Sequence, residues 1–176
     1  MPYWDDDPTE NIFMEVTQRG GIGANILAPM ARGRASAACN LALMMKKGDI
    51  VVHYNSKGRQ IALVSRVSGN PEWTEFDWIA DNAGEKAGRN EGVFVPLRRR
   101  HAKVEPPITL DEIKGKQRSI FAMKRKLERD YGKDGLNFPW IDYNGTLRTA
   151  LPYISKFPRA ALDLFPRLRE SVEELP

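Results

Sequence analysis

The residues able to do chemistry in this chain are few, and their spacing carries the information. There are two histidines, His53 and His101, and one cysteine, Cys39. Neither histidine has Cys, Asp or Glu companions at ligand spacing, so the sequence assigns no metal site. The glycine loop RGGIGANILAP at residues 19–29 lacks the Lys-Ser/Thr pair that completes a phosphate-binding loop. Ser65 and Ser68 have no nucleophile-elbow motif around them. No catalytic residue and no cofactor is assigned, and the chain reads as a binder rather than an enzyme. His53, inside the apolar stretch DIVVHY, reads as a hydrogen-bonded core residue. Glu15 has two readings: a solvated carboxylate, or an acceptor for an amino group such as N4 of cytosine. Cys39, set among alanines, reads as a small buried side chain.

The aromatic residues offer a binding chemistry instead. Trp73, Phe76 and Trp78 fall in a polar stretch rich in Gly, Asn and Asp, where a purely structural account is uncomfortable. Proteins that inspect a nucleobase take it out of the stack and hold it against ring faces, with polar groups along its edge. Stacking of this kind is worth about 1–3 kcal/mol per base. The competing account is that these rings cover the edge of a small sheet. Phe94 and Trp140 read as core.

Charge points the same way. The chain of 176 residues carries a net +4, unevenly spread. The first ten residues hold four acids and no base, whereas residues 97–130 hold eleven Lys/Arg against five acids, a net +6. A concentrated positive field favours a polyanion through counterion release, although a solvated face that only confers solubility has the same composition. Hydrophobic residues at 41% and charged residues at 28% exclude a disordered chain. There is no apolar run long enough for a membrane span, no signal-peptide pattern and only one cysteine, which together lead us to expect a reducing, cytoplasmic setting.

Placing these residues requires the elements that carry them. Residues 11–17 alternate as a strand, and the glycine loop through Met30 reads as a long loop. A helix is expected from about Gly33 to Lys47, presenting Ala37, Leu41, Met44 and Met45 on one face and stopping at Gly48. DIVVHY and RQIALVSRVSG are strands joined by the turn NSKG. Residues 70–91 read as irregular, and GVFVPLRRR as a strand whose Pro96 marks an edge or bulge. Beyond a stop at EPP, residues 109–132 read as helix with Thr109 or Asp111 as cap and Gly115 as a weak point. From Leu147 onward short helical pieces cut by prolines are expected. Strands around an early helix, followed by a helical tail, indicate an α+β fold with a small curved sheet.

These segments, read together, resemble a known family. FMEV at residues 13–16, the GG…NILAP loop, KKGDIVVHY, IALVSRVSG, the GVFVPLRRR strand, PPITLDEI and FPW…LPYISKFP resemble, in order, the EVE-like branch of the PUA superfamily, with YTH and ASCH domains as relatives. The nearest likeness is to the reader domains of modification-dependent restriction endonucleases, in which an HNH nuclease usually follows. The resemblance implies a PUA-like small curved sheet or barrel with flanking helices. It divides the chain into an acidic segment 1–10, a reader domain 11–158 and a helical tail 159–176. It further implies a pocket for a flipped modified base, most often a modified cytosine. Phe13 and Glu15 would lie near the pocket floor, Asn25 would enter from the glycine loop, and Tyr54 and Asn55 would line the wall. Where family loops often carry tryptophan this chain has Ala28, so one wall of the aromatic cage would be absent, leaving room for a bulkier substituent, or supplied by Trp73 or Trp78.

The expected partner is then double-stranded DNA with a modified base, with a fused or associated nuclease in phage defence and no membrane. Phosphates would be gripped by Arg32, Arg34, Lys57 and Arg59 at the pocket mouth. Arg98, Arg99, Arg100 and Lys103 would grip them along an outer strand, with Arg98 and Arg100 on one face and Arg99 on the other. A reader of modified RNA on the same fold is the alternative. A small RNA-cleaving enzyme is a third reading, and it requires Glu15, His53 or Lys47 to be gathered in one cleft.

Overall fold

The computed structural model describes residues 11–18, 21–30, 37–78, 88–150 and 153–176, with only the backbone described at 76–78 and 88–90. Five strands form the main sheet: β1 (Ile12–Thr17), β3 (Ile50–Asn55), β4 (Gln60–Arg66), β7 (Ala102–Thr109) and β10 (Ile154–Lys156). Their order is β10-β1-β3-β4-β7, with β1 and β3 parallel and the other neighbours antiparallel. A second sheet has the order β2-β6-β5, from Asn25–Pro29, Gly88–Pro96 and Glu72–Trp78. A hairpin pairs β8 (Trp140–Tyr143) with β9 (Thr146–Thr149). The helices are α1 (Ala37–Met44), α2 (Leu110–Gly115), α3 (Gln117–Tyr131), a 3-10 segment Arg159–Leu164 and α4 (Pro166–Glu173). The fold is α+β, and its main sheet is open at β10 and β7 rather than closed into a barrel.

Alternation along the strands sends side chains to two separate cores. Ile12, Met14, Ile50, Val52, Tyr54, Val64 and Ile108 face one side, where they meet Ile113, Ile120, Trp140, Phe157, Phe165 and Leu168. Phe13, Val51 and Val67 face the other, against Ile26, Val93 and Val95 of the second sheet and Ala38, Leu41 and Ala42 of α1. Tail residues Ala161, Leu162, Phe165, Leu168 and Val172 belong to the first core, so residues 159–176 pack as part of it.

Several elements differ from the sequence expectation, each for a physical reason. NILAP is strand β2, not loop, because β6 offers it a full antiparallel ladder from Asn25↔Pro96 to Pro29↔Gly92. EWTEFDW is strand β5; from Thr74 to Trp78 its β-forming residues alternate with Glu75 and Asp77, and that period outweighs the flanking turn-formers. AKVEPPIT forms β7 in spite of two prolines because it lies at the sheet edge, where a missing N–H breaks no ladder bond. Pro96, conversely, ends the central strand of the second sheet. β9 and β10 replace the first of the helical pieces expected after Leu147, since the edge of β1 is completed by β10, whereas the pieces after Pro158 and from Pro166 are helical as expected. Helix α1 ends at Met44 and buries Ala38, Cys39, Leu41 and Ala42, leaving Met44 exposed. The break in the long helix falls as expected beside Gly115, and Thr109 Oγ1 caps α2 by accepting from Glu112 N at 3.2 Å.

Candidate functional site

Pairing of β1 with β3 sets Glu15 directly beside His53, and the β3–β4 ladder sets Leu63 opposite His53 and Ser65 opposite Val51. Glu15, His53, Leu63 and Ser65 thereby share the face opposite the large helical core. Glu15 Oε2 lies 2.6 Å from His53 Nδ1, and His53 Nε2 lies 2.8 Å from Ser65 Oγ. Tyr153 donates its hydroxyl to Glu15 Oε1. The exposures of Glu15, His53 and Ser65 are 0%, 1% and 0%. With the carboxylate ionised, Nδ1–H donates to Glu15 and Nε2 accepts the Ser65 hydroxyl proton, so each buried polar group finds a partner.

The glycine loop covers this relay. Gly23 sits at φ +87, and a Cβ there would come 2.5 Å from Leu63 Cδ2 and 3.3 Å from Ser65 Oγ. Only a residue without a side chain fits, because the backbone presses on β4 in a left-handed conformation.

Beside the relay opens a cleft of about 590 Å³. Its wall comes from an irregularity in the β4–β7 ladder. Between the pairs Ile61↔Ile108 and Leu63↔Lys103, β4 advances two residues and β7 five, so Val104–Pro107 bow out of the sheet. This bow and Ile22, His53, Asn55, Ala62 and Leu63 line the cleft, with Lys103 and Glu105 at its side. Both nitrogens of His53 are engaged, so its ring presents carbon to the cleft. Asn55 Oδ1 accepts from the backbone N–H of Lys57 and of Gly58, each at 3.0 Å. That leaves the Asn55 NH₂ group as the donor for an occupant. The result is a mainly apolar slot with one fixed donor, and its size lies in the range of roughly 300–1,000 Å³ usual for small-ligand sites. A second depression of about 490 Å³ lies between β7 and α4, where Lys103, Arg167 and His101 face Glu105, Glu170 and Glu174, so its lining is mixed in charge and not apolar.

Of the expected pocket residues, the structure brings Asn55 to the cleft and Glu15 beneath it. Glu15 cannot accept from a base: both its oxygens are held within the protein. Phe13 is buried in the core against the second sheet, with Lys156 Nζ 4.6 Å from its ring centroid. Tyr54 points to the opposite side of the sheet, because it follows His53 by one residue. Burial pushes the Tyr54 phenol above its ordinary value of 10.0, opposed by Arg59 and by a hydrogen bond with Thr149. Asn25 begins β2 opposite Pro96, away from the cleft lining. Trp73 is half exposed on edge strand β5 and does not reach the cleft, while the Trp78 side chain lies outside those described.

Among the cations, Lys57 and Arg59 are exposed on the turn that Asn55 caps, and Lys103 borders the cleft. Arg98, Arg99 and Arg100 follow β6 in the connection to β7, so the strand alternation expected for them does not apply. Arg98 donates to the Pro176 carbonyl, whereas Arg99 and Arg100 are exposed. Arg32 and Arg34 lie outside the described residues. Cys39 is buried and donates its thiol toward Ala28 O at 3.1 Å. Sequence reasoning missed Ser65, Tyr153, Ile22 and the bow at 104–107.

The order Ser65–His53–Glu15 is that of a hydrolase triad. Its serine, however, exposes no surface for a substrate to meet. As it stands the chain of bonds orients an imidazole. No helix among the described residues is long and apolar enough to cross a membrane.

No family model matches the chain, and no curated protein matches it. Among solved structures it is similar to protein Atu2648 from Agrobacterium tumefaciens, at 12% identity and a TM-score of 0.43 over 88% of this chain and 90% of that one. It is also similar to Rpa0253 from Rhodopseudomonas palustris, at 12% identity and a TM-score of 0.44 over 93% and 91%. Likeness at this level identifies neither chain's function with the other's.

Proposed function

We propose that this chain is a reader of duplex DNA carrying a modified base, most simply a modified cytosine, which it takes out of the stack into the cleft beside His53. The observation that carries the reading is the cleft itself: apolar walls at Ile22, Leu63 and Pro107, one fixed donor at Asn55, and exposed cations Lys57, Arg59 and Lys103 around them. Apolar walls hold a base by its faces, the donor meets a carbonyl or ring nitrogen on its edge, and the cations meet flanking phosphates. The resemblance of the sequence to EVE-like reader domains supports the same reading. In that setting the chain recognises, and a nuclease elsewhere cuts, within a modification-dependent restriction system in the cytoplasm.

The experiment is a binding series across matched duplexes bearing cytosine, 5-methyl-, 5-hydroxymethyl- and glucosylated cytosine and methyladenine, alongside the same sequences as RNA. One modified duplex should bind at least tenfold tighter than its plain counterpart. Equal affinity for all DNA duplexes would overturn the reading, and preference for a modified RNA would transfer it to the RNA alternative.

A further inference from the structure

The cleft is not the most positive part of the molecule. Residues 114–148 contain nine Lys/Arg and four Asp/Glu, a net +5 that exceeds the +4 of the whole chain. On α3, Arg118, Arg125 and Arg129 are exposed, and their spacing of seven and four residues puts them along one stripe of the helix. At about 1.5 Å of rise per residue the stripe runs some 16 Å, close to five nucleotide steps of one DNA strand at about 3.4 Å each. Lys124 pairs with Glu128 and Lys126 with Asp130, both at i and i+4, and Arg129 Nε also lies 3.8 Å from Asp130 Oδ1, an exposed pair that a phosphate has to displace.

A second element is fastened to the start of this stripe. The Gln117 carboxamide donates to Gly145 O at 2.9 Å and accepts from Leu147 N at 2.7 Å, tying the β8–β9 hairpin to the first residue of α3. The hairpin turns through Asn144 and Gly145 at φ +51 and +78, as a tight two-residue turn requires. Beside that turn Tyr143 is half exposed, and Arg148 Cζ stacks 3.9 Å from its ring centroid. A guanidinium held over a ring by a cation–π contact still has N–H groups to offer a phosphate and loses less freedom on binding.

We propose that the α3 stripe and Arg148 form a second nucleic-acid contact surface, which grips the phosphate backbone of a duplex regardless of base modification. The occupant is a nucleic acid rather than an anionic membrane because the outward positions Arg118, Ser119, Ala122, Arg125, Lys126, Arg129 and Asp130 include no large apolar side chain to enter a bilayer. This surface is independent of whether the cleft reads a base.

The test uses the full chain and an unmodified duplex, with affinity measured against salt. In Arg118→Gln/Arg125→Gln/Arg129→Gln the log–log salt slope should fall by about 0.9 for each phosphate no longer neutralised, with at least a tenfold weaker affinity at low salt. Arg148→Gln should lower the slope by about 0.9, the share of a single phosphate. Lys46→Gln/Lys47→Gln, which removes two exposed charges elsewhere, should change the slope less than Arg125→Gln/Arg129→Gln does. The ratio of modified to plain affinity should stay at its wild-type value in every α3 variant, so a failure of the cleft reading shows up separately as a wild-type ratio of one. A wild-type slope in the triple variant would overturn the proposal. So would equal effects of the two charge-matched pairs, or binding by the wild type to phosphatidylserine vesicles and not to duplex.

Discussion

Ser65 sets its Oγ 2.8 Å from His53 Nε2 while exposing none of its own surface. The hydroxyl serves the imidazole, and through it the cleft, in place of attacking a substrate. Ser65→Ala should therefore cost about 1–3 kcal/mol, the range for a buried acceptor left without its donor. Glu15→Ala should cost more, about 2–6 kcal/mol, because it leaves two buried donors, His53 Nδ1–H and the Tyr153 hydroxyl, without their acceptor. Urea midpoints of the variants give both numbers. Incubation of the wild type with modified and plain DNA and RNA, in Mg²⁺ or Mn²⁺, should leave every substrate intact; cleavage abolished by Ser65→Ala would make the relay a catalytic triad.

Selectivity should follow the cleft and not the exposed ring on β5. Leu63→Trp fills the slot and should bring the affinities for modified and plain duplex together, whereas Trp73→Ala should leave their ratio unchanged. Asn55→Asp keeps the oxygen that caps the turn and removes the donor. It should weaken the preferred duplex by roughly tenfold, about 1.4 kcal/mol, with thermal stability near wild type.

Gly23 supplies a test of how the loop is seated. Gly23→Ala meets both a left-handed backbone and Leu63 at 2.5 Å, so a destabilisation of about 1–3 kcal/mol is expected. Pairing it with Leu63→Ala removes the collision with the leucine side chain but not the φ penalty, and should recover part of the stability. A double variant no better than the sum of the singles would show that the strain is all backbone.

Alkaline stability should carry the signature of Tyr54. Its folded-state value lies above 10.0, so the folded protein keeps a proton that the unfolded chain releases near pH 10. The stability it contributes is complete below that pH and declines as pH rises through the folded-state value. Tyr54→Phe should lose about 1 kcal/mol near neutrality with the Thr149 hydrogen bond, yet fall less steeply above pH 10. Denaturation midpoints from pH 8 to 11 for both proteins test the sign.

Legibility from sequence followed the range of the interactions. The strands at residues 12–17, 50–55 and 60–66, the cap at Thr109 and the helix break beside Gly115 are local patterns, and each appears where expected. Glu15 and His53 could be noticed singly, but only the parallel register of β1 on β3 makes them neighbours. Ser65 had a usable signal: once NSKG is a hairpin turn, residues 63 and 65 must come near His53. Tyr153, 138 residues from Glu15, had none. The cleft wall was hidden by a rule applied too broadly, since prolines end a central strand but only bend an edge one.

The position of β10 bears on how the molecule is made. Its residues 154–156 pair with residues 13–15, so β1 waits for a partner synthesised much later in the chain. Such distant pairing raises contact order and slows folding. Until the ribosome has released residue 156, β1 presents an open row of backbone donors and acceptors, and Glu15 lacks Tyr153. Throughout that interval the nascent chain is open to edge-to-edge association, and the segment that ends this hazard also delivers the Tyr153 hydrogen bond of the relay.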